Sequence, residues 1–239
     1  MEIPKTAVSR LTSCVTDIGS RLNVHSALAF AGMAGPLVLV FCDITAAAGA
    51  DGYSFIGDSI SSLALTRIGY VLVIGFMAIG LLVEVFVAGL LYNIRHSRWF
   101  HLGIGMLVFF GFFLLLIGAF RTDPVDAPDT AEGIIHGLAA LGAFWLFPLA
   151  LLALSPSIKR DPDWSNLFRY TIVTCILALL LALATAIFKD RITWFGLMER
   201  LLVLNMIAWV EIAAFRMLCL SLRRPMSGQM QIEGQGRIL

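Results

Sequence analysis

The sequence predicts an all-α, polytopic membrane protein: a bundle of six transmembrane helices with both termini on the cytoplasmic side. Three observations carry this prediction. Apolar residue types make up 59% of the 239 residues, charged types only 14%, and the mean hydropathy is +0.89. Soluble chains run near roughly 45–50% apolar and about 25% charged, so a single water-facing core does not account for this composition. Six windows also reach the span length set by about 1.5 Å of rise per residue and about 30 Å of hydrocarbon. The windows are continuously apolar instead of alternating, and a helix satisfies its backbone hydrogen bonds within one such run, which selects helices over a barrel.

Taken in order, residues 1–26 form a cytoplasmic segment without the apolar core and small-residue cleavage site of a secretory signal, so none of it is expected to be removed. Leu11, Val15, Ile18 and Leu22 recur at helical spacing between Arg10 and Arg21, which reads either as an interfacial amphipathic helix or as a partly disordered lead-in. The six-helix domain covers 27–220. Its spans are Ala27 to Gly49, Ile68 to Tyr92, His101 to Phe120, Gly133 to Ser155, Arg169 to Phe188 and Leu197 to Leu220. Pro36 and Pro148 are expected to kink the first and fourth. Gly133 and Gly137 form a small-xxx-small pair that admits a neighbouring helix. Residues 221–239 read as a flexible cytoplasmic tail.

Orientation follows from the basic residues. With the N-terminus inside, twelve of the 17 Lys and Arg side chains fall on the cytoplasmic side, leaving Arg67, Arg121, Lys189, Arg191 and Arg200 outside. This places the protein in a cytoplasmic or inner membrane, with membrane lipids as its partners. A net charge of +1 removes the electrostatic case for nucleic acid. Cys14, Cys42, Cys175 and Cys219 do not make an outer-face disulfide framework.

Ionisable residues inside a membrane cost roughly 2.5–3.5 kcal/mol at a helix centre and need a reason. Asp43 lies in the outer third of the first span and belongs with the outer surface. Glu84 and Glu211 lie at matching depth in the second and sixth spans. They read as a helix-clamping pair of acids or as the proton-sharing pair of a small carrier. No unwound helix lies beside them as transporter sites require, which favours the clamp.

The chemistry-bearing residues gather at the outer ends of the spans: Asp58, Ser59 and Ser62 in the first loop, Arg121 and Asp123 after the third span, His136 opening the fourth, Glu199 and Arg200 opening the sixth. Several readings fit this set. Arg121 and Arg200 as forked donors, with His136, suit a lipid head group or another small anionic ligand. An ion-pair network closing the bundle fits the same residues, pairing the arginines with Asp58, Asp123 or Glu199 and His136 with Glu132 one turn back. A nucleophilic set drawn from Ser59 or Ser62, His136, and Asp58 or Asp123 describes a membrane-embedded hydrolase or transferase. A metal held by His136, Asp58, Asp123 and Glu199 is chemically possible, but the outer face has a single histidine, so no metal is expected. His25, His96 and His101 cluster at the inner edge and give no haem-ligand pair. No cofactor is indicated, and whether the site is catalytic stays open.

Four short motifs occur in order on that face: Asp-Ser-x-Ser-x-Leu at Asp58, Ser59, Ser61 and Leu63; Gly-x-Phe-x-x-Asp-Pro from Gly118 to Pro124; Gly-x-x-His at Gly133 and His136; and Gly-Leu-x-Glu-Arg from Gly196 to Arg200. Over roughly residues 27 to 220 the chain thereby resembles the bacterial and archaeal membrane family called domain of unknown function 998. Arg121 stands where such proteins often have Pro, and Glu199 where Gln is common. The resemblance implies the architecture and a shared outer polar site; it implies no activity.

Overall fold

The computed structural model describes residues 23–124, 127–188 and 193–223. Every regular element in them is helical: α1 (Val24–Ala48), a 3-10 turn (Ser61–Leu65), α2 (Tyr70–Asn93), α3 (Phe100–Ala119), α4 (Ala131–Arg160), a second 3-10 turn (Ser165–Leu167), α5 (Phe168–Phe188) and α6 (Phe195–Arg223). All six α-helices are long and apolar enough to cross a membrane, and the protein is a multi-pass membrane protein. Each helix packs on the next, and α1 closes the ring against α6. The even number of passes puts Asn23 and Arg223 on one face and the first, third and fifth connections on the other, called here the far face.

Less than half of each span is buried, and the outward sides carry large apolar residues such as Phe41, Ile74, Leu138 and Leu180. Lipid is as apolar as those side chains, so what holds one helix to another is close packing. Glycine makes the room: a Cβ on Gly32 meets Phe86 and Ala214 at 2.5–2.7 Å, and one on Gly80 meets Leu115 at 2.7 Å. Gly133 and Gly137 do not admit a helix in this way. Asp123 occupies the space at Gly133, and Gly137 faces open space.

Helix α4 runs past the expected end at Ser155 to Arg160, through Pro156. Proline supplies no N–H to the carbonyl four residues back. Here the Ser155 hydroxyl donates to Leu152 O at 2.8 Å in its place, which explains how the helix continues. At the face of Asn23 and Arg223, Asn23 caps α1, and Ser26 and Ser221 share a hydrogen bond of 2.8 Å. The segments of residues 94–99 and 161–167 lock together there: Asp161 accepts from Arg95 N at 2.8 Å, Ser157 Oγ donates to Ser97 Oγ at 2.6 Å, and the fully buried Trp164 donates Nε1–H to Asn93 O at 3.0 Å. His25 meets Asn93 on this face, and His96 stacks on Phe100. The helical pattern of Leu11, Val15, Ile18 and Leu22, and the tail beyond Arg223, lie outside the described residues. Ser221 to Arg223 belong to α6.

Glu84 and Glu211 are not joined by a hydrogen bond in the described structure. The Glu84 carboxylate lies against Gly111 on α3 and reaches the backbone of Phe112. Glu211 Oε2 is buried and has no hydrogen-bond partner among the described residues.

Candidate functional site

The first far-face loop is folded by its own polar groups. Asp58 Oδ2 accepts Ser54 N–H at 2.7 Å, Ser59 Oγ accepts Ser62 N–H at 3.2 Å, and Ser62 Oγ donates to Ser59 O at 2.7 Å. These three side chains, singled out from the sequence for chemistry, therefore staple the loop and its 3-10 turn. The loop then caps α6: Gly196 N donates to Gly57 O at 3.2 Å and Leu197 N to Ile56 O at 2.9 Å. A side chain at Gly196 has no room against Asp58 O.

Arg200 is the post around which this loop is built. Its Nε and Nη2 donate to Asp43 at 3.2 and 3.1 Å, Nη2 also donates to the Tyr53 hydroxyl, and Nη1 faces the carbonyls of Phe55, Asp58 and Gly196 at 2.9, 3.3 and 3.3 Å. The guanidinium also lies 3.9 Å from the Phe55 ring centroid, a cation–π contact. Its side chain is 4% exposed and that of Asp43 14%. All five N–H donors are engaged within the protein. The partner expected from sequence was Asp58, Asp123 or Glu199; the ion pair is instead with Asp43, and Asp58 supplies only its carbonyl. Burial pushes the Tyr53 phenol up, against the opposing pull of Arg200.

Asp123 sits at the start of α4. Its carboxylate accepts Thr130 N–H at 2.8 Å and the Thr130 hydroxyl at 2.7 Å, while Thr130 Oγ1 accepts Gly133 N–H at 3.1 Å. This is helix capping extended by a second side chain. The two bonds from Thr130 hold the Asp123 carboxyl below its ordinary range. Arg121 is exposed.

The remaining residues converge. His136, 5% exposed on α4, has Nδ1 2.9 Å from Phe120 O and Nε2 2.9 Å from Ser61 Oγ. A carbonyl only accepts, so Nδ1 carries a proton, and in the neutral imidazole Nε2 accepts the Ser61 hydroxyl. The partner expected from helical spacing was Glu132; the ring turns inward instead, to the end of α3 and the first loop. Glu199, 8% exposed on α6, accepts Ile60 N–H on Oε2 at 2.7 Å, which fixes the residue preceding Ser61.

Ser61 and Glu199 open onto a cleft between the helices, lined otherwise by apolar side chains including Leu39, Phe76, Leu114, Ala143, Phe144 and Met206. Its volume is about 30 Å³, room for one or two waters. Ser61 belongs to the first-loop motif but not to the candidate site residues the sequence offers; three serines in four positions do not reveal which one faces inward. No group of three His, Cys, Asp or Glu side chains that could hold a metal occurs among the described residues.

The family model described as Protein of unknown function (DUF998) matches residues 33–216. That interval takes in the first loop, His136, Glu199 and Arg200. No curated protein and no solved structure matches the chain.

Proposed function

The chain belongs to the family described as Protein of unknown function (DUF998), whose name carries no activity, and from the geometry of its far face we propose that it binds an amphiphile, a lipid or a lipid-like molecule. The ligand's polar linkage sits at Ser61, His136 and Glu199, and its apolar part enters the cleft between the helices. The observation that carries this reading is the composition of the cleft: among the described residues its two polar lining side chains are Ser61 and Glu199, brought close by the bond of Glu199 to Ile60 N–H. Such a wall suits a ligand polar at one end and apolar over the rest of its length.

Recognition of a head group by Arg121 and Arg200 together is the weaker form of this proposal, because Arg200 has no donor left for a ligand. Arg121 remains available at the surface. The cleft is narrow in this form, so the ligand enters as side chains move aside, with Met206 the most adaptable of them and Ala140 and Phe144 only partly buried. The far face is the extracytoplasmic one in this proposal, supported by the excess of Lys and Arg in the segments at the other face.

The test is native mass spectrometry of protein purified in mild detergent. Co-purified amphiphile on the wild type, lost when Ala140→Phe fills the cleft and kept when the lipid-facing Leu180→Phe is made, supports the reading. Equal retention by both variants defeats it.

A further inference from the structure

We propose that Ser61 and His136 form a nucleophile and general-base pair that cleaves or transfers an acyl group from an ester. The inference rests on the amphiphile-binding reading and names the substrate class of that same site.

Three features of the geometry carry it. The first is the contact itself, with Ser61 Oγ 2.9 Å from His136 Nε2, within the range in which a base takes a hydroxyl proton. The second is the fixed tautomer. Phe120 O holds Nδ1–H at 2.9 Å, so in the neutral imidazole the nitrogen facing serine is the basic one, and a third group orients the base as activated nucleophiles require. The third is placement: Ser61 lies on the wall of an apolar cleft while His136 stands behind it, 5% exposed. A hydroxyl needed only to close the bundle has no reason to face the cleft. Ser59 and Ser62, the neighbours that do close the turn, bond to backbone.

The chemistry balances with water as the only co-reactant. Ser61 Oγ attacks the ester carbonyl carbon as His136 Nε2 takes the hydroxyl proton. The tetrahedral intermediate collapses, the bond from carbonyl carbon to alkoxy oxygen breaks, and Nε2–H protonates the departing alcohol. Ser61 is left as its acyl ester. Water then attacks that ester with its proton taken by Nε2, the bond to Oγ breaks, and the proton returns to Oγ as the carboxylic acid leaves. An alcohol in place of water gives transfer instead of hydrolysis.

A fluorophosphonate carrying a long alkyl chain tests the pair on the whole protein in detergent. Attack by Ser61 forms an Oγ–P bond and expels fluoride, and the adduct is located by peptide fragmentation on the wild-type chain, so the result does not depend on any variant folding. The expected result is an adduct on Ser61, formed about 10²–10⁴-fold more slowly in His136→Gln. No adduct, or one confined to Ser59 or Ser62, overturns the inference. If the wild type still carries amphiphile in the native spectrum, the binding reading survives that outcome; if it carries none, both fall.

Discussion

Replacing Asp43 with Ala is expected to destabilise the protein by about 3–5 kcal/mol, the range for removing one partner of a buried ion pair. The structure gives the same figure by another route. Asp43→Ala removes the acceptors of two guanidinium donors, those at 3.2 and 3.1 Å, on a side chain only 4% exposed. An unsatisfied buried donor costs about 1–3 kcal/mol, so two give about 2–6. The tyrosine and carbonyl contacts of Arg200 stay in place but do not neutralise its charge. For a chain of this length the loss corresponds to a fall in melting temperature on the order of 10 °C, read by thermal unfolding in detergent. Asp43→Leu combined with Arg200→Met should lose less than the two single changes summed, because the stranded charge is then gone. If Asp43→Ala costs less than about 1 kcal/mol, the value of an exposed pair, the picture of Arg200 as an internal post is refuted. The same holds if Arg200→Met leaves folding intact yet abolishes amphiphile retention.

Four further outcomes follow from the same structure. Asp123, held low by Thr130, contributes stability that is present above its unfolded-state pKa and lost as pH falls through its lower folded-state value. Wild type should therefore lose melting temperature between about pH 5 and pH 2 by more than Asp123→Ala does in a pH series. Ser155→Ala should cost about 1 kcal/mol by leaving Leu152 O unpaired, and should cost much less in a Pro156→Ala background, where the backbone N–H returns; a double-mutant cycle by thermal unfolding measures this. Glu211→Leu should leave stability unchanged or raised, since Oε2 has no hydrogen-bond partner among the described residues to lose, and a fall of more than about 2 kcal/mol contradicts that. Ser59→Ala should lower stability by about 0.5–1.5 kcal/mol through the lost bond from Ser62 N–H in the 3-10 turn, measured against Ser62→Ala as a second break in the same staple.

The architecture was legible because its cause is coarse. A run of about 20 apolar residues has one solution in lipid, and six such runs mark six helices whatever their packing. The ends were harder to read. Pro156 and the charged residues after it mark the end of an apolar window, but not of α4, because Ser155 repairs the missing hydrogen bond. The far-face set could be named by residue type, since buried polar groups are conspicuous in such a chain. Its partners could not, because partner choice depends on rotation about each helix axis. Span depth ties Asp43 to the outer surface but does not point to its partner Arg200, and helical spacing offers His136 the residue one turn back whereas its ring points across the bundle. Among Ser59, Ser61 and Ser62, only the turn's geometry separates the two that staple from the one that faces His136.

The most direct test of the amphiphile site is photolabelling with a fatty-acyl chain bearing a diazirine near its polar end, followed by peptide mapping. The account predicts crosslinks to cleft residues such as Phe144 and Met206, diminished in Ala140→Phe. Crosslinks confined to outward residues such as Phe41 and Leu180, and indifferent to Ala140→Phe, contradict it.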